Sequence, residues 1–180
     1  MIATTDNATP EAEYAFPPTL AAICQAEFAY DDGDGIDFEP YDAFLPVDDA
    51  TAWLRQWTGN HDLDGSAYRF FGQDGTGGGA ALWSVREGRP LADQPVVFLS
   101  SEGETAVVAG NLSDFLWVLA DGFGPLEATL FPSRTPRQND HFASLAHLHA
   151  TTPCRSAHEI FAEARTEFPT FDEDIEKLCR

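Results

Sequence analysis

The sequence predicts a single α+β domain, and three observations carry that prediction. Apolar residues recur at helical spacing in the first sixty residues and again in the last seventy. Between them, from Tyr68 to Ala109, short apolar runs alternate with glycine-rich or acidic joints, as strands of a meander do. No internal repeat and no Pro/Ser/Gly-rich linker divides the chain, and 180 residues suffice for one hydrophobic core.

Taken in order, Met1 to Glu13 is polar and aromatic-free and reads as a loose N-terminal tail, leaving residues 14–180 as the domain. In "PPTLAAICQAEFAY", Leu20, Ile23, Cys24 and Phe28 lie near helical spacing. Pro18 suits a first turn and Thr19 can help cap it, so a helix of about three turns is expected. The acidic, turn-rich "DDGDGIDFEPYDAFLP" follows, with Ile36 and Phe38 alternating as in a short strand. "VDDATAWLRQWTGN" regains helical spacing: Asp48 and Asp49 favour a helix start, and Trp53, Leu54 and Trp57 share a face.

"YRFFG" and "AALWSV" flank a glycine stretch, while "PVVFLSS" and "TAVVAG" flank "EGE"; these read as an antiparallel meander whose turns are the glycine-rich joints. "NLSDFLWVLADGFG" is helical, with Asn111 or Ser113 as cap and Gly122 as stop. Pro125, Pro132 and Pro136 mark a loop, and "FASLAHLHA" has an ambiguous helical pattern. "SAHE" and "TFDE" both match the capping-box pattern and predict two C-terminal helices separated at Pro169.

Charge excludes several function classes. Ten Lys and Arg face 30 Asp and Glu, a formal net charge of -20. Up to Asp64 there are 14 acids and one base, Arg55. Nucleic acid and anionic membrane surfaces demand the opposite balance, so neither is an expected partner. A basic protein would be steered toward such a chain, although acidity also serves solubility alone. No 18-residue apolar run exists, and the N-terminus lacks a basic region followed by an apolar core. Three widely spaced cysteines, Cys24, Cys154 and Cys179, fit reduced thiols, with Cys24 packed as a small apolar residue. A cytoplasmic location is expected.

The motifs that could carry chemistry fall short. "RFFGQDGTGGGAALW" holds five glycines between Gly72 and Gly79. A phosphate loop needs a helix N-terminus after its glycines, yet β-like "AALWSV" follows, and the chain's one lysine is Lys177. The stretch is expected to be a turn. "DDGDGIDFE" resembles a calcium loop in composition, but counting from Asp32 puts Ile36 fifth and Ala43 twelfth, where oxygen ligands belong. His147 and His149 are two apart, a spacing that points them in different directions on a helix; His141, Cys154 and His158 complete no zinc pattern. There is no Gly-x-Ser-x-Gly elbow, and no cysteine is coupled to a base by motif. No catalytic residue, metal ligand or cofactor site is assigned. Trp53, Trp57, Trp83 and Trp117 are expected in the core, since each lies within an apolar face.

The stretch from Tyr68 to Glu127 resembles the SUKH superfamily of bacterial immunity proteins, a group related to a fungal cell-wall-synthesis regulator. The resembling parts are the glycine-rich turn Gly72 to Gly79, the strand Ala80 to Trp83, and the Pro-led strand Pro95 to Ser100. They continue through the acidic turn Glu102 to Glu104, the strand Thr105 to Ala109 and the helix Asn111 to Leu119. The resemblance implies a central mixed, mostly antiparallel sheet flanked by helices. It also implies a non-enzymatic role: binding and neutralising a cognate toxin, in some cases a basic nuclease domain. A regulator or scaffold of the same fold family is the alternative. The expected contact surface is the acidic loop carrying Asp31, Asp32, Asp34, Asp37 and Glu39.

Overall fold

Five strands pair strictly in chain order, every pair antiparallel. This is seen in a computed structural model that describes residues 14–180; the expected tail, Met1 to Glu13, lies outside the described residues. The strands are β1 (Glu39–Pro40), β2 (Tyr68–Gln73), β3 (Gly79–Trp83), β4 (Val96–Leu99) and β5 (Thr105–Ala109). The α+β class and the helix-flanked sheet are as expected, and the meander inferred from the glycine joints is present. The parallel admixture implied by the resemblance is absent among the described strands.

Strands β3, β4 and β5 are almost wholly apolar because both sheet faces are buried. One face sets Phe71, Ala80, Leu82, Val96, Phe98 and Val108 in a core shared with Leu20, Phe115, Leu119 and Phe142. The opposite face sets Tyr68, Phe70, Ala81, Val97, Leu99 and Val107 against Leu54, Ala164, Phe171 and Ile175. Register shifts occur beside Phe71 in β2 and Val108 in β5. Each inserts one residue, which re-aims the side chains that follow it.

Seven helices surround the sheet among the described residues: α1 (Pro18–Cys24), α2 (Val47–Thr58), α3 (Leu112–Ala120), α4 (Pro125–Leu130), α5 (Asp140–His149), α6 (Ala157–Glu167) and α7 (Phe171–Glu176). No helix among them is long and apolar enough to cross a membrane. Helix α3 is buried along all nine residues, including Ser113 and Asp114. Its polar residues are satisfied internally: Asn111 Oδ1 accepts from Asp114 N–H at 2.8 Å, and Arg155 Nη2 donates to Asp114 Oδ2 at 2.7 Å. Gly122, at φ +80°, stops the helix where a Cβ would lie 2.1 Å from the Arg137 carbonyl oxygen.

Several local expectations are corrected. Helix α1 is seven residues rather than about three turns; Pro18 opens it, but no side chain, Thr19 included, caps it. Ile36 and Phe38, expected in a short strand, are buried but not strand-paired, and only Glu39 and Pro40 pair as a strand. The proline-marked loop begins with helix α4, because Pro125 occupies the first helical turn, where a missing N–H costs nothing. Ser156 and Glu159 form the expected capping box. Thr170 does not: its hydroxyl donates to Asp174 Oδ2 at 2.8 Å instead of accepting a backbone bond.

Candidate protein-binding surface

The acidic loop is a short backbone knot held on a rigid base. Gly33 and Gly35 N–H both donate to the Tyr30 carbonyl at 3.0 Å, Asp34 N–H donates to Asp31 at 3.0 Å, and Ile36 N–H donates to Ala29 at 2.9 Å. Gly35 permits this closure, since a Cβ there would stand 1.9 Å from the Ala29 carbonyl oxygen. Asp31 and Asp32 adopt φ of 47° and 54°, a left-handed conformation that Asp tolerates better than most side chains. Both carboxylates project into solvent, and neither forms an ion pair among the described residues. Tyr30, 57% exposed, stands beside them.

The five predicted acids do not act as one group. Asp34 pairs with Arg137 at 3.1 Å across an exposed gap, a contact worth at most about 1 kcal/mol. Asp37 faces inward: its Oδ1 accepts from Gly75 N–H at 2.9 Å, and its own N–H donates to Glu127 Oε1 at 3.0 Å. Glu39 sits on edge strand β1, where Gln73 Nε2 approaches its Oε2 at 3.5 Å. Tyr41, whose hydroxyl donates to Gln73 Oε1 at 3.0 Å, has its phenol pKa raised by burial and then by the charge of Glu39. Asp31, Asp32 and Asp34 thus present charge outward, whereas Asp37 fastens the loop.

The glycine stretch is the other half of this surface. Asp74, fully buried, accepts on Oδ1 from Thr76 N–H at 2.8 Å, Thr76 Oγ1 at 2.8 Å and Gly78 N–H at 2.9 Å. Gly77 takes φ +93°, and strand β3 follows directly. The stretch is a hairpin turn folded around a carboxylate, with no helix N-terminus to receive an anion. Gly78 and Gly79 also let the backbone press on Phe98 and Phe70, whose rings would lie 2.7 and 2.5 Å from added Cβ atoms. Thr76 Oγ1 meets Ser101 Oγ at 2.8 Å, joining the β2–β3 turn to the β4–β5 turn. The acidic loop, the glycine turn and the turn carrying Glu102 and Glu104 therefore meet at one end of the sheet.

Glu127 escaped sequence reasoning. It is buried in α4 and accepts from Asp37 N–H and, at 2.9 Å, from Gly124 N–H. Burial raises its pKa above the usual carboxylate range, against the opposing pull of those bonds and of Arg134. Its spacing of three from Gly124 was a usable signal, because an acid at that position commonly reaches back to a helix start.

Other candidates resolve into packing. His147 lies edge-on to Trp117, and His158 edge-on to Phe123. Among the described residues no three His, Cys, Asp or Glu side chains are grouped to hold a metal ion. Cys24 is half-buried, and burial pushes its thiol up to about 12, whereas Cys154 and Cys179 are exposed. Trp117 is buried as expected; Trp53, Trp57 and Trp83 are only partly covered. The Trp53 and Trp57 rings stack at 6.2 Å, and Trp57 Nε1 donates to the Ser100 carbonyl at 2.8 Å.

No protein-family model, curated protein sequence or solved structure matches the chain. The resemblance to SUKH immunity proteins therefore rests on the residues that carry it, Tyr68 to Glu127.

Proposed function

We propose that this chain is a non-enzymatic binding protein that neutralises a basic protein partner, a cognate toxin, by direct contact in the cytoplasm. One observation carries the reading: uncompensated carboxylates stand on fixed backbone. The loop tip is closed by four backbone bonds and tied to the sheet through Asp37, Gly75 and Glu127, so its charges are pre-positioned. The segments gathered at this end hold no Lys or Arg of their own: none occurs between residues 14 and 54, between 70 and 85, or between 90 and 133. Arg137, from outside them, pairs with Asp34 and leaves Asp31 and Asp32 without an ion pair among the described residues. Such a surface accelerates association with a basic partner and can occupy a groove that otherwise binds phosphate.

The test is co-expression and purification with the toxic domain encoded beside this chain. An equimolar complex that abolishes toxicity supports the reading; toxicity undiminished, with no complex, rejects it. Within that complex, D31N/D32N should slow association at low salt about three- to tenfold and leave dissociation nearly unchanged. Those two residues are chosen because Asp37 has an internal structural bond and Asp34 is paired. An association rate equal to wild type at low salt removes the loop tip from the contact.

A further inference from the structure

The sheet has one blunted edge and one open edge. Strand β1 is two residues long and ends in proline, a common way of closing an edge to further pairing. Strand β5 is different. Ser100 N–H donates to the Glu104 carbonyl at 2.8 Å, and Thr105 and Val107 lie opposite Leu99 and Val97. Antiparallel alternation then makes Phe98 and Ala106 the next bonded pair, so the N–H and C=O of Thr105 and Val107 point away from the sheet. Neither residue's backbone has another partner among the described residues. Helix α6 packs along one face of the strand, with Ala164 against Val107 and with Phe161 and Arg165 beside Thr105 to Val107.

Thr105 to Val107 floor a cleft of about 300 Å³, walled by Ala128 of α4, Phe161 of α6, Phe171 of α7 and Phe168 between those two helices. The cleft runs into a wider groove of about 880 Å³ that shares Thr105, Thr129 and Asp172 with it. Glu102, Glu104, Asp172, Glu173 and Glu176 line that groove without a single Lys or Arg. One cation, Arg165, borders the smaller cleft.

We infer that this edge takes an extended Lys/Arg-bearing segment of a basic partner as an added strand. The partner's backbone would bond to Thr105 and Val107, an apolar side chain would enter the cleft, and its cations would lie along the acidic groove. Charge decides the occupant: a second copy pairing edge to edge would bring two sets of carboxylates together, whereas a cationic segment neutralises them. The inference deepens the proposed function and rests on it, and adds β5 as a contact distinct from the loop of Asp31.

The probe is a capped peptide of alternating lysine and valine, about eight residues long, added to the whole chain. Backbone pairing predicts amide exchange slowed about tenfold at Thr105 and Val107. N-methylation of alternate peptide residues should cost about tenfold or more in affinity, and a glutamate–valine peptide should not bind. E102Q/E173Q/E176Q alters only exposed groups; it should weaken the lysine peptide about tenfold and flatten its salt dependence, with the unfolding temperature unchanged. Failure of the lysine peptide to bind, indifference to N-methylation, or protection centred on residues 31–39 overturns the inference. Concentration-dependent protection of Thr105 and Val107 in the chain alone would assign the edge to a second copy and overturn it equally. A toxin complex in which these amides still exchange freely would leave the neutralising role standing and remove this edge from it.

Discussion

Replacing Glu127 tests how the acidic loop is held. The residue is 5% exposed, and its carboxylate accepts from the backbone N–H groups of Asp37 and Gly124. In E127A both donors lose their acceptor, and a buried unsatisfied donor costs about 1–3 kcal/mol. The Asp37 amide is only part-buried and regains some water, so the expected loss is about 2–4 kcal/mol. For a chain of this size that lowers the unfolding temperature by roughly 5–15 °C. E127Q should fall between E127A and wild type, because a neutral amide resembles the protonated carboxyl that burial favours, although it accepts only one of the two bonds well.

The pH dependence separates the two contributions. Burial raises the folded-state pKa of Glu127 above its unfolded value. The stability linked to its protonation is therefore fully present below the unfolded pKa and is lost as pH rises through the folded one. Wild type should gain on E127Q as pH falls from neutrality toward that window, and the difference between the two cancels the general relief of charge repulsion in so acidic a chain. Urea unfolding of all three proteins at a series of pH values measures this. E127A as stable as wild type, or a gap between wild type and E127Q that does not move with pH, would refute the account of Glu127 as a buried clamp.

Two further outcomes are expected beyond those for the loop tip and the β5 edge. Gly122→Ala should destabilise by about 3 kcal/mol in thermal or urea unfolding, since the residue needs φ +80° and its Cβ would meet the Arg137 carbonyl oxygen; a loss under about 1 kcal/mol would contradict that geometry. In the native protein near pH 8, a thiol reagent should label Cys154 and Cys179 quickly and Cys24 only on unfolding, because burial holds the Cys24 thiol protonated. Rapid labelling of all three would show that the α1 region opens readily.

The helix starts were legible wherever one short segment supplied both the signal and the partner. Asn111 caps α3 and Ser156 with Glu159 boxes α6, because capping is completed within four residues. Thr170 and Glu173 show the same pattern without the bond, since Asp174 takes the hydroxyl first. The ends of α1 and β1 were less legible. Helix α1 ends at Cys24 with no glycine or proline to stop it, and β1 is cut to two residues at Pro40; around them Phe16, Phe28 and Phe38 pack against rings from more distant segments.

By itself the sequence determined the α+β class, the order of the strands, the glycine stretch as a turn and the excess of negative charge. Each is a local or summed property: periodicity, turn chemistry, composition. Tertiary structure alone decided which acids of the loop face solvent. Asp31 and Asp32 are indistinguishable from Asp37 in the sequence, yet Asp37 is turned inward by Gly75, 38 residues away. It likewise decided that Glu102 and Glu104 share a groove with Asp172, Glu173 and Glu176, and that β5 keeps an open edge. Side-chain direction and edge exposure depend on contacts between distant segments, and those exist only once the sheet has closed its order and the helices have covered its faces.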